Sequence, residues 1–300
     1  MNRWLVLSLA ILCIIIIAVI VFSENSNQSP NTPNISDSPD RIVSMAPNLT
    51  EILFALGLEE KIVGVTTYSD YPPAAAEKPK MGTFWQPNIE AVVAAEPDMV
   101  ITLTFQQQKN LAKRLKRINC DVLTVGIEKV SELFSAIESI GTATKTKIKA
   151  DALVLDIKNK INDFSAKLPA GDKIRVLWVI QKEPLRVAGT DTFVNELITL
   201  AGGRNAIGNT IHQYPPIGTE ELYSCAPDVI IEPAEEEQPL HIQQENALKY
   251  WSKFKNVPAV KKERIYVIDP GPVSRLGPRM PDAVRSIAEC LRPELFKKND

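Results

Sequence analysis

Residues 87–101, PNIEAVVAAEPDMVI, return in degraded form at residues 217–231 as IGTEELYSCAPDVII. Glu90, Pro97, Asp98 and Ile101 recur as Glu220, Pro227, Asp228 and Ile231 at one offset of 130 residues, and Val100 is matched by the similar Ile230. Each copy describes a short helix with an acid in its first turn, where the helix dipole favours negative charge, then a Pro-Asp break and a buried parallel strand. A second echo lies nearby: residues 51–57, EILFALG, resemble residues 196–202, ELITLAG, an amphipathic helix stopped by glycine at an offset of 145. A duplicated α/β unit predicts two lobes facing each other across a cleft, with the function between them.

Ahead of the repeats, residues 4–22 are nineteen positions with Ser8 the only polar one. As a helix they would span roughly 28 Å, close to a bilayer's hydrocarbon thickness. Arg3 precedes them, so the positive-inside rule predicts that the remainder of the chain lies outside the cytoplasm. Residues 1–22 are expected to act as a membrane anchor or a cleaved signal segment, giving a tethered or a secreted protein respectively. Residues 23–39 are rich in Ser, Asn and Pro and too poor in apolar side chains to build a core, which predicts a flexible linker.

The formal net charge is only −2 and no basic blocks occur, which argues against nucleic acid as a partner. Of four cysteines, Cys13 sits within the apolar run, leaving Cys120, Cys225 and Cys290 widely spaced and odd in number. That pattern predicts separate buried thiols rather than a disulfide framework or a zinc site.

Along the chain, residues 41–45 read as a strand and Asn48 as the cap of a helix, with Glu51 completing a capping box and Gly57 ending it. Residues 61–66 read as the next strand. Residues 67–87 then hold four prolines and four aromatics, Tyr68, Tyr71, Phe84 and Trp85, in a chain that is 6% aromatic overall. So many prolines exclude a central strand or core helix, and loop aromatics at this density mark either a contact surface or a cover for the lobe's own core. Strand and helix continue to alternate, which predicts parallel sheets.

Between the repeats, residues 144–168 keep apolar side chains at steps of 3 or 4, which predicts a helix of about 36 Å able to connect the lobes. The expected domains are therefore 40–142, an N-terminal α/β lobe; 143–168, the connecting helix; and 169–300, a C-terminal α/β lobe. In the second lobe Gly189 precedes a helix at 193–201, and Tyr214 lies six residues before Glu220 much as Trp85 lies five before Glu90. The Gly/Pro-rich stretch 269–281 carries Arg275 and Arg279; Arg275 is a candidate ligand contact, with a surface ion pair as its plainer role.

Taken in order, RIVSMAPNLTEILFALGLEEKIVGVTTYSDYPP, FWQPNIE, EPDMVI, VAGTDTFVNELITLAGG and TEEL…PDVII resemble the helical-backbone (class III) solute-binding proteins of ABC importers, over nearly all of residues 41–291. The resemblance implies an α/β fold of two Rossmann-like lobes with parallel sheets joined by one long α-helix. It further implies a small-molecule metal-chelate ligand between the lobes, no resident cofactor and no catalysis. The implied partners are an ABC transporter permease and its ATPase. Glu90 and Glu220 stand at the positions where this family places one glutamate per lobe to dock on permease arginines; their plainer role is to complement a helix dipole.

The family's ligands include cobalamin, ferric siderophores, haem and, in a His-rich branch, zinc or manganese. Two histidines in all argue against bare metal. YSDYPP and FWQPNIE look most like the cobalamin binder, in which aromatics at the positions of Tyr68 and Trp85 flank the corrin; where that protein has a second-lobe tryptophan, this chain has Tyr214. The ligand contacts so implied are Tyr68, Phe84, Trp85, Gly189, Tyr214 and Arg275. A siderophore would want arginine in the cleft, and haem an axial Tyr or His, for which Tyr68, His212 and Tyr214 are the candidates. A chelatase-like enzyme is the rival from another class, but no nucleophile elbow, phosphate loop or His/carboxylate cluster is visible.

Overall fold

The computed structural model describes residues 38–117, 120–169, 171–235 and 238–296, and the described residues from Pro39 onward form a compact unit. The expected membrane segment, residues 4–22, and residues 23–37 of the linker lie outside the described residues. No helix among the described residues is long and apolar enough to cross a membrane.

The first lobe runs β1 (Ile42–Ser44), α1 (Pro47–Ala55), β2 (Ile62–Val65), α2 (Ile89–Ala94), β3 (Met99–Leu103), α3 (Gln106–Lys116), β4 (Asp121–Val125) and α4 (Val130–Ala143). Its sheet has the order β2-β1-β3-β4 with every neighbouring pair parallel. After α5 (Lys147–Ser165) come β5 (Ile174–Lys182), β6 (Leu185–Val187), α6 (Phe193–Leu200), β7 (Gly203–Asn205), α7 (Thr219–Cys225), β8 (Val229–Pro233), α8 (Leu240–Trp251), β9 (Ile265–Ile268) and α9 (Met280–Leu291). The second sheet's parallel strands follow the order β7-β5-β8-β9, the same as the first sheet's. One element departs from the all-parallel expectation: β6 folds back antiparallel on the outer half of β5.

The repeat is visible at single residues. Asp98 accepts the backbone N–H groups of Asp40 and Arg41 at 2.9 and 3.0 Å, which ties the start of β3 to the start of β1. Asp228 does the same between β8 and β5, accepting Arg175 N–H at 3.1 Å and the Arg175 guanidinium at 3.0 and 3.1 Å. Just before each Pro-Asp, Glu96 and Ala226 take positive φ of 44° and 40°, the left-handed turn that ends the preceding helix. The Pro-Asp pair is thus a strand-start brace.

Side chains alternate along the central strands, as the pleat requires. Ile42, Ile101, Val176, Trp178 and Ile231 enter one continuous core, while Val43 and Val100 cover the outer face of the first sheet and Leu177 and Ile230 that of the second. Helix α5 contributes Ala150, Val154, Ile157 and Ile161 to the continuous core, which contains residues of both lobes. It is shorter than the periodicity predicts. Lys145, at φ 60°, breaks it from α4, and Gly141 lets the two helices meet closely, since a Cβ there would clash with that of Ala150.

A second departure concerns Asn48. The predicted capping box does not form: α1 starts earlier, with Pro47 in its first turn and Ala46 at the cap without a side-chain bond. Proline pre-sets the first helical φ and lacks an N–H to satisfy, so the start needs no Asn. Asn48 and Glu51 are released for work between the lobes.

Candidate functional site

A cavity of about 440 Å³ lies where the two lobes meet. Its walls come from segments that follow the carboxyl ends of strands, the general location of ligands in open α/β sheets. Ala46, Pro47 and Asn48 follow β1, Leu103 ends β3 and Phe105 follows it, and Ile127 and Glu128 follow β4. Opposite them stand Thr192, Phe193, Gln213, Tyr214 and the stretch Ser274, Arg275, Leu276 after β9.

Of the residues singled out from sequence, Phe84, Tyr214 and Arg275 line this cavity. Trp85 is 58% exposed and stands beside it, its ring 4.8 Å edge-on from Phe84 and 6.1 Å from Phe105. Tyr68 is 57% exposed and is not part of the lining. Gly189 is not part of it either: its N–H donates to the Gln213 carbonyl at 2.7 Å, and a Cβ there would stand 2.6 Å from Thr210 Oγ1. Its lack of a side chain seats the 210–213 loop that presents Tyr214. His212 is exposed and turned to no cavity contact.

Phe105 and Phe193 are the aromatic linings that sequence reasoning missed. Phe105 sits two residues past β3, 5.0 Å from the Phe84 ring, and the strand-end rule alone would have found it. Burial pushes the Tyr214 phenol above its usual range, so it stays protonated at neutral pH.

Arg275 is committed to an ion-pair network that spans the lobes. Its Nε donates to Glu51 at 3.0 Å and its Nη2 to Asp70 at 3.0 Å, while Arg279 gives Glu51 two further bonds of 2.9 and 2.6 Å. The Glu51 side chain is only 3% exposed. Burial works against the Arg279 charge, yet the hydrogen bonds to Glu51 and its charge outweigh this and hold the guanidinium above its ordinary pKa. Arg279 also covers the Tyr71 ring at 4.0 Å. The duplicated partner of Glu51 reaches the other way: Glu196, from the second lobe, accepts the Val130 N–H at the start of α4 at 2.7 Å. Asn48 adds a bond to the Leu276 carbonyl at 3.0 Å.

Glu90 and Glu220 lie away from the cavity, exposed in the first turns of α2 and α7. Neither carboxylate makes a hydrogen bond or ion pair among the described residues. Among the described residues Cys120, Cys225 and Cys290 are free thiols, only Cys290 of them buried and the other two partly so; burial raises all three, Cys225 to about 11 and Cys290 to about 12, so none is a poised nucleophile. Among the described residues no His/Cys/Asp/Glu group could hold a metal ion.

The family described as periplasmic binding protein matches residues 42–272. The chain belongs to the periplasmic binding protein family. Among its relatives, an uncharacterised ABC transporter substrate-binding lipoprotein, YvrC, of Bacillus subtilis is 31% identical over 93% of this chain and 87% of its own length. The vitamin B12-binding protein of Vibrio parahaemolyticus is 23% identical over 83% and 88%. A solved structure of a periplasmic heme binding protein from Pseudomonas aeruginosa superposes with a TM-score of 0.74 at 27% identity, covering 85% of this chain and 93% of that one. Periplasmic binding proteins of this kind are extracytoplasmic and work with the permease and ATPase of an ABC importer; these relatives are solute-binding proteins, not enzymes.

Proposed function

We propose that this periplasmic binding protein captures a corrinoid, cobalamin, between its lobes and delivers it to an importer permease. The observation that carries the reading is the aromatic wall: Phe84, Phe105, Phe193 and Tyr214 line the cavity and Trp85 braces Phe84 from outside. Such rings suit a large, flat, partly apolar ligand. The vitamin B12-binding relative supports the same choice. Tyr68 would add to the ligand contact from the exposed loop, with Gly189 acting through the seat it gives Tyr214.

The alternative is a ferric siderophore or haem, favoured by Arg275 in the lining and by the heme-binding structural neighbour. Two features weigh against it. Arg275 is already neutralised by Glu51 and Asp70, and the raised phenol of Tyr214 opposes the phenolate that ferric haem would want. Titration of residues 40–300 with cobalamin, haemin and ferrichrome separates the readings. Cobalamin is expected to bind with a dissociation constant of micromolar or tighter, about 8 kcal/mol. Binding of haemin or ferrichrome without cobalamin would overturn the corrinoid reading.

The apolar residues 4–22 support attachment to the outer face of the cell membrane, either retained as an anchor or lost on secretion. Glu90 and Glu220, one per lobe and without hydrogen-bond or ion-pair partners among the described residues, would meet basic residues of the permease.

A further inference from the structure

The repeat carries more than its glutamates. Three residues after each lies an exposed apolar side chain: Val93, 42% exposed, and Tyr223, 40% exposed, again 130 residues apart. Positions three apart on a helix are neighbours on its surface, so each acid stands beside an apolar side chain. The inward side of each helix is already supplied by Val92 and Leu222, both fully buried. Val93 and Tyr223 are therefore not needed to hold the helices down. Isolated exposed apolar residues are ordinary, but an exposed apolar side chain at the same offset from the same acid in both lobes is a repeated feature that the buried core does not require.

We infer that each docking face is an acid and apolar pair, Glu90 with Val93 and Glu220 with Tyr223, fitted to a basic residue flanked by an apolar one on the outward surface of a two-subunit permease. This rests on the importer reading above. An exposed ion pair alone is worth little, because water screens it; an apolar neighbour that closes over the pair on contact removes that water and strengthens it. Charge selects the occupant, since a second copy of this chain would bring acid against acid. The two faces are unequal. Tyr223 carries a ring that rests edge-on against Phe254 at 6.4 Å, and Lys253 lies 3.9 Å over the adjoining Tyr250 ring, whereas Val93 is a small aliphatic side chain. The second lobe thus offers the broader face and contributes more to association.

The test measures binding of the full receptor to its importer, permease and ATPase together in lipid nanodiscs. Val93→Ser/Tyr223→Ser is expected to associate at least tenfold more weakly with an unchanged melting temperature, Tyr223→Ser to lose more than Val93→Ser, and Tyr223→Phe to associate as wild type. If Tyr223→Ser lowers the melting temperature, Val93→Ser is read alone, with an expected loss of threefold or more. Wild-type association of these serine variants overturns the inference; if Glu90→Lys/Glu220→Lys weakens association in the same assay, the docking reading survives without it, and if that variant is silent too, both fall. A wild-type receptor that self-associates through this face, and dissociates on serine substitution, also overturns it.

Discussion

Trp85 shares the wall with Phe105, which a reading of residue types passes over when it assigns the aromatic contact to Tyr68, Phe84, Trp85 and Tyr214. The tryptophan is the more conspicuous in sequence, yet Phe105 faces the cavity and Trp85 stands beside it. If the ligand brings a flat ring against this wall, both substitutions to Ala should weaken cobalamin binding, each by very roughly 1 to 3 kcal/mol, as followed by titration. A folded Phe105→Ala protein with unchanged affinity would show that the wall is core cover only. Asp228 offers a separate test away from the site. Its hydrogen bonds from the Arg175 guanidinium hold its pKa below the usual range, so its stabilising contribution is present above the unfolded-state pKa and is lost as pH falls through the lower folded value. The pair is partly exposed, which limits it to about 1 kcal/mol after screening. Melting curves of wild type and Asp228→Asn should therefore differ at neutral pH and converge in acid. Residue types in sequence showed where chemistry sits but not its direction: Glu51 reads as a capping acid, and only the fold, by bringing Arg275 and Arg279 from over 200 positions away, reveals it as the centre of an interlobe network.

At the scale of elements, most strands and helices were legible because each carries its own periodicity and stop signal. The helix at 147–165 was legible in its apolar steps, but its start was not, since the break at Lys145 depends on α4 docking against it through Gly141. The antiparallel β6 was missed because three residues are too few to show an alternation. What these elements do together bears on motion. Helix α5 is continuous and buried along one face in a core holding residues of both lobes. Glu51 clamps the arginines after β9, and Glu196 holds the first turn of α4, so the lobes are tied by acids reaching in both directions. Hinges normally need a few residues free to change φ and ψ, and a helix so supported lacks them. Distances between spin labels on the two lobes should change by only a few ångströms when ligand binds. A large rotation would require the chain to give way at residues 144–146 and would remove this account of α5.

For the whole molecule, the duplication was legible because the Pro-Asp brace constrains the backbone in both lobes and so preserves its own residues. The cavity was not, because its lining comes from separate strand ends that no local pattern unites. The proposed delivery draws on the same pseudo-symmetry. A receptor with one acid on each lobe can place both on a two-subunit permease at once, and two simultaneous contacts give an effective concentration that a single one cannot. Glu90 and Glu220 are well suited to this, being exposed, without partners among the described residues, and outside the cavity lining. Charges at such a rim set orientation and association rate more than intrinsic affinity. Reversing both to Lys should leave cobalamin affinity of the purified protein unaltered and abolish receptor-stimulated transport into vesicles, and reversing the matching permease charges should restore part of it. Normal transport by the double variant would place docking elsewhere on the surface. Loss of ligand affinity in a folded double variant would instead bring these acids into the cleft, against their position on α2 and α7.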